Sequence, residues 1–263
     1  MAELIDLLAR HLDGFLLAFF RVGAMLAWAP VLGHRSIPVP HRAGLAALLA
    51  LILAPTLRGS AGAVARDALG WLLAVAGEVF VGLAIGFVAY LVLAAVEVAG
   101  EMIGFEMGFS IAAVFDPAMG EQGTVVARLL HTLALLLFLT MNGHHLLIRA
   151  VAASFQRIAP GGVLEPAVAG GIASLGGKLL QSGFALAGPV VAILLVLNVA
   201  LALVGRVAPQ TNVFMVGLPL SIGVGVLGLL DDLPSFAQVF TRLVAEMQMD
   251  VDGLFLGATH GLR

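Results

Sequence analysis

Apolar residues run in long blocks broken by short polar or proline-rich pieces. Six such stretches can be marked: Phe15–Trp28, Ala43–Leu57, Leu69–Val98, Val125–Leu147, Ala185–Val204 and Val213–Leu230. Blocks of Leu, Ala and Val this long exceed any strand, and an open sheet edge cannot stand in hydrocarbon, so the pattern predicts helices. A helix crossing the bilayer core needs about 20 apolar residues. The second stretch is short by that measure, and the third is long enough to cross with turns to spare.

Proline and glycine punctuate the pattern. Pro30, Pro38, Pro40, Pro55, the Asp116-Pro117 pair, Pro160-Gly161-Gly162, Pro209 and Pro234 mark expected breaks. Pro189 and Pro219 fall inside or beside apolar stretches and predict kinks. The fold expected is all-α: a polytopic membrane-type protein of kinked helical hairpins, without a long polar linker or a visible repeat.

Charges lie inside the apolar blocks: Arg21 in the first, Glu78 in the third, Arg128 and His131 in the fourth. Such groups usually face a protein interior or water, so Arg21, Glu78 and Arg128 are expected to be buried polar residues. For six spans, arginine and lysine counts place both termini in the cytoplasm. Arg10, Arg58, Arg66, Arg149, Arg157, Lys178, Arg242 and Arg263 would share one side, and Arg35, Arg42 and Arg206 the other.

Composition sharpens this picture. Hydrophobic residues are 61% of 263, charged residues 11%, and mean hydropathy is +1.09. Soluble domains hold about 45–50% apolar and about 25% charged residues, so this chain cannot cover a soluble surface. A net charge of −3 without a basic run gives no reason to expect nucleic acid. The absence of cysteine removes disulfides, thiol catalysis and cysteine metal sites. The acidic, mixed-charge start MAELIDLLARHLDGF is unlike a cleaved signal peptide, so the first stretch is expected to be retained.

Glycine numbers 32. Gly100, Gly104 and Gly108 recur every four residues, which on a helix exposes bare backbone to a neighbour and predicts helix packing. For the pair Gly82 and Gly86, the general abundance of glycine in membrane helices is explanation enough.

Chemistry is sparse. His131, Asn142-Gly143-His144-His145, and Glu97 with Glu101 one turn apart are the enzyme-like features. Adjacent His144 and His145 point about 100° apart on a helix, and no HExxH occurs, so the expectation is no metal and no catalysis. There is no GxxxxGK[ST] sequence, and Lys178 is the only lysine. No cofactor is expected. The segment EVAGEMIGFEMGFSIAAVFDPAMGEQ, from Glu97 to Gln122, mixes acidic residues with Met102, Met107, Met119, Phe105, Phe109 and Phe115. Methionine repacks easily and apolar constrictions dewet, so the segment reads either as an adaptable seal or as an ordinary buried loop.

Four quoted segments carry a family resemblance: GHRSIP at Gly33–Pro38, GFEMGFSIAAVFDPAMGEQG, FLTMNGHHLLIRAVAASFQRIAPGG, and RVAPQTNVFMVGLP. Together, over essentially the whole chain, they resemble the FliR family, the R subunits of the flagellar type III export gate. The T-type proteins of virulence injectisomes are more distant relatives.

The resemblance implies a noncatalytic subunit of the bacterial inner membrane and flagellar basal body. It would assemble with export-gate P and Q subunits, and with the B-type export protein, into a channel for unfolded flagellar substrates. Residues 1–174 would be a P-like helical portion and 175–263 a Q-like hairpin. Residues 105–123 would form a pore plug, with Phe105, Met107, Phe109, Phe115, Asp116, Pro117 and Met119 at its site. A polytopic small-solute transporter and an injectisome gate subunit are the alternatives; transporters often show paired broken helices in two related halves, and this sequence shows no such symmetry.

Overall fold

The computed structural model describes residues 2–34, 36–54, 68–109, 123–161, 167–208, 210 and 212–256. Among them the regular structure is entirely helical: α1 (Ala2–Trp28), α2 (Val39–Leu53), α3 (Ala68–Glu106), α4 (Val125–Thr140), α5 (Gly143–Arg157), α6 (Ala167–Val207) and α7 (Val213–Leu256). The chain is a polytopic helical protein of the membrane type. Among the described residues three helices have the length and apolarity to cross a membrane: Ala68–Glu106, Leu175–Val207 and Met215–Val251. A fourth is added if α4 and α5 count as one broken span. Among the described residues at most four spans meet that measure, so the orientation drawn from a six-span count is not supported.

Local chemistry explains most helix ends. The turn after α1 puts Val31 at φ 67°, and a Cβ on Gly33 would meet the Ala27 and Ala29 carbonyl oxygens at 2.6 and 2.8 Å. Only glycine fits there. Pro38 caps α2 and Pro40 sits in its first turn, where the missing N–H has no helical partner to lose. The fourth apolar stretch, expected to be continuous to Leu147, is broken at Asn142, which takes the left-handed conformation (φ 58°, ψ 34°) before α5 starts. Asparagine enters that region more readily than most residues because its short polar side chain bonds locally. Pro234 breaks nothing: α7 runs through both Pro219 and Pro234, and α6 through Pro189. One lost N–H and ring crowding, about 3 kcal/mol, do not outweigh the flanking turns of a 44-residue helix.

The chain groups into two compact units. The first holds residues 1–91, 142–176 and 244–263; the second holds 92–141 and 177–243. Both α3 and α7 contribute to each unit.

In the first unit α1 lies parallel to α3. Phe20 meets Trp71 edge-on at 6.4 Å, Gly82 faces the Arg21 carbonyl, Gly86 faces the Met25 carbonyl, and Trp28 packs on Phe87 at 5.2 Å. The pair Gly82 and Gly86 is therefore a close-packing surface, a correction to the bland reading. A Cβ on Gly86 would fall 2.7 Å from the Met25 oxygen, and one on Gly82 would collide with the Arg21 carbonyl. The interior is completed by Leu17, Met25, Ile85, Leu147 and Val151.

In the second unit α3 and α4 run antiparallel, since Gly100 touches Ala127 and Gly104 touches Thr124. The hairpin of α6 and α7 keeps one register along its length: Gly205 on Val213, Leu201 on Gly217, Val190 on Gly228. Ala99, Ile103, Ala134, Phe138, Leu194 and Phe240 fill the interior.

Much apolar surface remains exposed. Leu180, Phe184, Val196 and Leu203 on α6, with Met215, Val216, Leu227 and Leu230 on α7, stand outward. Only 17% of the most apolar window of either helix is buried, against 56% for α3. Apolar patches on this scale mark contacts with lipid or with other proteins.

Candidate functional site

Two polar arrangements stand out, one in each unit. In the first, α1 carries Arg21 into the interior opposite Glu78 of α3. Arg21 is 0% and Glu78 2% exposed. Arg21 Nε donates to Glu78 Oε2 at 2.6 Å and Nη2 donates to Oε1 at 3.0 Å, the two-pronged geometry that a planar guanidinium allows. Nη1 donates to Ser154 Oγ at 2.9 Å and Nη2 also donates to the Ile158 carbonyl at 3.0 Å. The Phe155 ring lies 4.0 Å below Cζ, adding a cation–π contact. The Gly161 amide donates to Glu78 Oε1 at 2.9 Å, and Gly161 reaches that position with φ 77°. Every charge in the cluster is matched, which is the condition under which burial of ions is tolerated.

Sequence reasoning singled out Arg21 and Glu78 but not Ser154, Phe155, Ile158 or Gly161. A signal existed for Ser154. It falls on the stripe Leu147, Val151, Ser154, Phe155 that α5 buries, and a serine on such a stripe needs a polar partner. Arg128 is corrected: it stands exposed at the start of α4, on a side away from the buried Val126, Ala127 and Leu130.

The second arrangement surrounds the point where the chain leaves α3 and returns at α4. The end of α3 is a Schellman stop. The Phe109 amide donates to the Gly104 carbonyl and the Gly108 amide to the Phe105 carbonyl, both at 3.0 Å, with Gly108 at φ 87°. Gly108 is thus a helix terminator, not the third packing glycine, because its positive φ takes it off the helix face. Gly100 and Gly104 do pack, against Ala127 and Thr124.

Thr124 caps α4, its Oγ1 accepting from the Ala127 amide at 3.1 Å. The same hydroxyl donates to the Gly100 carbonyl at 3.3 Å. The Thr124 amide donates to Glu101 Oε1 at 2.7 Å. In a capping box that acceptor comes from the third residue of the same helix, whereas here another helix supplies it. Gly123, at φ 102°, leaves room for the carboxylate: a Cβ there would lie 2.8 Å from Glu101 Oε1. Beyond the clamp, Glu106 Oε2 accepts from Asn198 Nδ2 of α6 at 2.9 Å.

Of the plug residues, Phe105 is exposed on the last turn of α3 and Phe109 is half-buried after the stop. Met107 is corrected: it is buried, with its side chain over Gly225 of α7, where a Cβ would meet its Cγ at 2.5 Å. Its amide still bonds the Ile103 carbonyl at 2.9 Å, so Met107 continues the last turn of α3 with its side chain against α7. Phe115, Asp116, Pro117 and Met119 lie outside the described residues.

His144 and His145 rings lie tilted at 4.2 Å, and among the described residues no three His, Cys, Asp or Glu side chains gather to hold a metal ion.

Residues 12–247 match the family described as bacterial export proteins, family 1. The chain is 39% identical over 234 residues to the flagellar biosynthetic protein FliR of Bacillus subtilis (strain 168), covering 88% of each chain. It is 37% identical over 230 residues to that of Escherichia coli (strain K12), covering 86% of this chain and 87% of the relative. Against FliR of Caulobacter vibrioides the identity is 36% over 236 residues, covering 88% and 92%.

Proposed function

The chain belongs to the bacterial export proteins, family 1, and within it to the flagellar FliR group; from that premise we propose that it is a noncatalytic subunit of the flagellar type III export gate. The observation that carries this reading is the match to flagellar export proteins over nearly the whole chain. The outward apolar faces of α6 and α7 support it, because they require a covering of lipid or protein.

In this reading the subunit joins P and Q subunits in a channel for unfolded flagellar proteins, in the inner membrane at the basal body, and contacts the B-type export protein. Residues 1–174 act as the P-like portion and 175–263 as the Q-like hairpin. The 105–123 segment plugs the channel. Its members differ in role: Phe109, Phe115 and Met119 supply bulk to the seal, while Met107 anchors the segment's root.

Co-purification on tagged P and Q subunits, followed by mass spectrometry, tests the assembly. Stable recovery of the chain alone, with neither partner bound, would favour the transporter alternative. The plug is tested by deleting residues 110–122 and measuring potassium leak from liposomes holding the assembled gate. The deletion is expected to assemble and leak; an assembled, ion-tight deletion means the seal lies in other subunits.

A further inference from the structure

We infer that the corner between α1 and α2, with Trp28 and Tyr90 beside it, is a membrane-surface site that takes the phosphate groups of anionic lipids. The inference needs only the membrane class of the chain and is independent of the gate reading.

The corner is built within the first unit. The Gly33 amide donates to the Ala29 carbonyl at 2.7 Å, and Arg42 Nη1 donates to the Gly33 carbonyl at 3.4 Å. These contacts hold the end of α1 and the first turn of α2 at one level. Trp28 ends α1 there and meets Tyr90 of α3 edge-on at 5.8 Å. Both rings stay near half exposed, at 45% and 47%. Tryptophan and tyrosine join an apolar ring to a polar tip, which suits the level where hydrocarbon gives way to headgroups.

The polar groups at the corner are donors. His34 and His41 are exposed and Arg42 is half-buried. The Ser36 amide donates to His34 Nδ1 at 3.2 Å, which leaves Nε2 to carry the proton of the neutral ring. Arg42 Nε is buried without an acceptor among the described residues, and its Gly33 contact is long. A guanidinium so poorly satisfied gains from swinging outward onto a phosphate, whose oxygens match its fork of donors. The sequence holds no Asp or Glu between Asp13 and Asp67, nor between Glu78 and Glu97. The segments that form the corner therefore bring cations and no carboxylate.

The course of α2 decides the kind of partner. Ala46 lies over Gly23, so α2 runs back along α1 from the corner. Beyond Arg42 it carries no charge, and Leu48, Leu51 and Ile52 stand exposed. Over about 15 Å of helix the surface passes from cation and aromatic rings to bare aliphatic side chains. A bilayer passes from phosphate to hydrocarbon in the same order. An acidic protein partner would account for the cations but not for that gradient.

In the test the full chain carries Trp71→Phe, which leaves Trp28 as its one tryptophan, and is placed in phosphatidylcholine vesicles. Brominated lipids then quench Trp28 fluorescence by contact. Bromines near the headgroup end of the acyl chain should quench more than bromines near the bilayer centre. Brominated phosphatidylglycerol should quench about fivefold more effectively than brominated phosphatidylcholine at equal mole fraction, about the worth of one arginine at an anionic surface. Arg42→Gln should remove most of that preference with the depth profile unchanged, and Arg42→Lys should retain it. Inorganic phosphate at matched ionic strength should leave it in place.

A Trp28 that neither bromine reaches, or that quenches best from the bilayer centre, overturns the inference; the first result points to a protein partner at the corner. Equal quenching by the two lipids, or a preference that survives Arg42→Gln, overturns the headgroup site. If Arg42→Gln alters the depth profile, Arg42→Lys decides, and loss of the preference there overturns the site as well. Displacement by inorganic phosphate makes a soluble anion the ligand and overturns the lipid assignment.

Discussion

Arg21 and Glu78, separated by 57 positions, meet as a two-pronged ion pair at 2.6 and 3.0 Å inside the first unit, and all of their named partners come from the same chain. This changes what an arginine in an apolar stretch means here. Membrane insertion scales place about 2.5–3.5 kcal/mol on an arginine at a span's centre, and here four internal hydrogen bonds, two of them to a carboxylate, work against that cost. The pair belongs to the chain's own fold.

Arg21→Leu should therefore destabilise the chain itself by about 3–5 kcal/mol, because Glu78 is left buried with only the Gly161 amide. Thermal unfolding of the purified protein would register this as early melting of α1 and α5 contacts. The double change Arg21→Leu, Glu78→Leu should recover a large part of the loss, since no unpaired charge remains. A single change as stable as the native chain would contradict the burial of the pair.

Gly82→Ala should cost about 1–3 kcal/mol, as its Cβ collides with the Arg21 carbonyl and forces α1 away from α3. Gly44→Ala is the matched control: it lies in α2 with nothing within 4 Å of a new Cβ. There the substitution should be neutral or stabilising by about 0.5–1 kcal/mol. Equal melting of the two variants would mean that α1 and α3 do not approach at Gly82.

Gly104 and Gly108 should separate by the kind of residue each accepts. Gly108→Asn should be tolerated, since asparagine adopts positive φ, whereas Gly108→Val should cost about 1–2 kcal/mol or more. Gly104→Asn should disrupt the Thr124 cap, because any side chain there displaces the threonine. Thermal melting of the three variants, compared together, distinguishes backbone conformation from packing. A large loss of stability with Gly108→Asn would show that Gly108 packs after all.

Asn142→Gly should melt close to the native chain, while Asn142→Val should lose about 1–2 kcal/mol, because a β-branched residue is strained at φ 58°. If both melt alike, the break between α4 and α5 is set elsewhere.

Sequence alone determined the class of the molecule. Unbroken apolar blocks without polar cover dictate helices in lipid or in a protein assembly, and the four quoted segments carry the export family. It also flagged Arg21 and Glu78 as needing partners, since an uncompensated charge in such a block is too costly to leave.

What stood opposite each residue was decided only by the tertiary structure. Three glycines spaced by four share a face in principle, yet Gly108 departs from it, because the sign of its φ depends on where α3 stops. Gly82 and Gly86, with the same spacing, became the tight contact, because the α1 backbone rather than a side chain lies against them. Arg128 sits in an apolar stretch but on the exposed side, since the face that α4 buries is chosen by the small residues Gly100 and Gly104 across from it. Spacing along the chain fixes which residues look in one direction, and only the packed neighbours determine what they meet there.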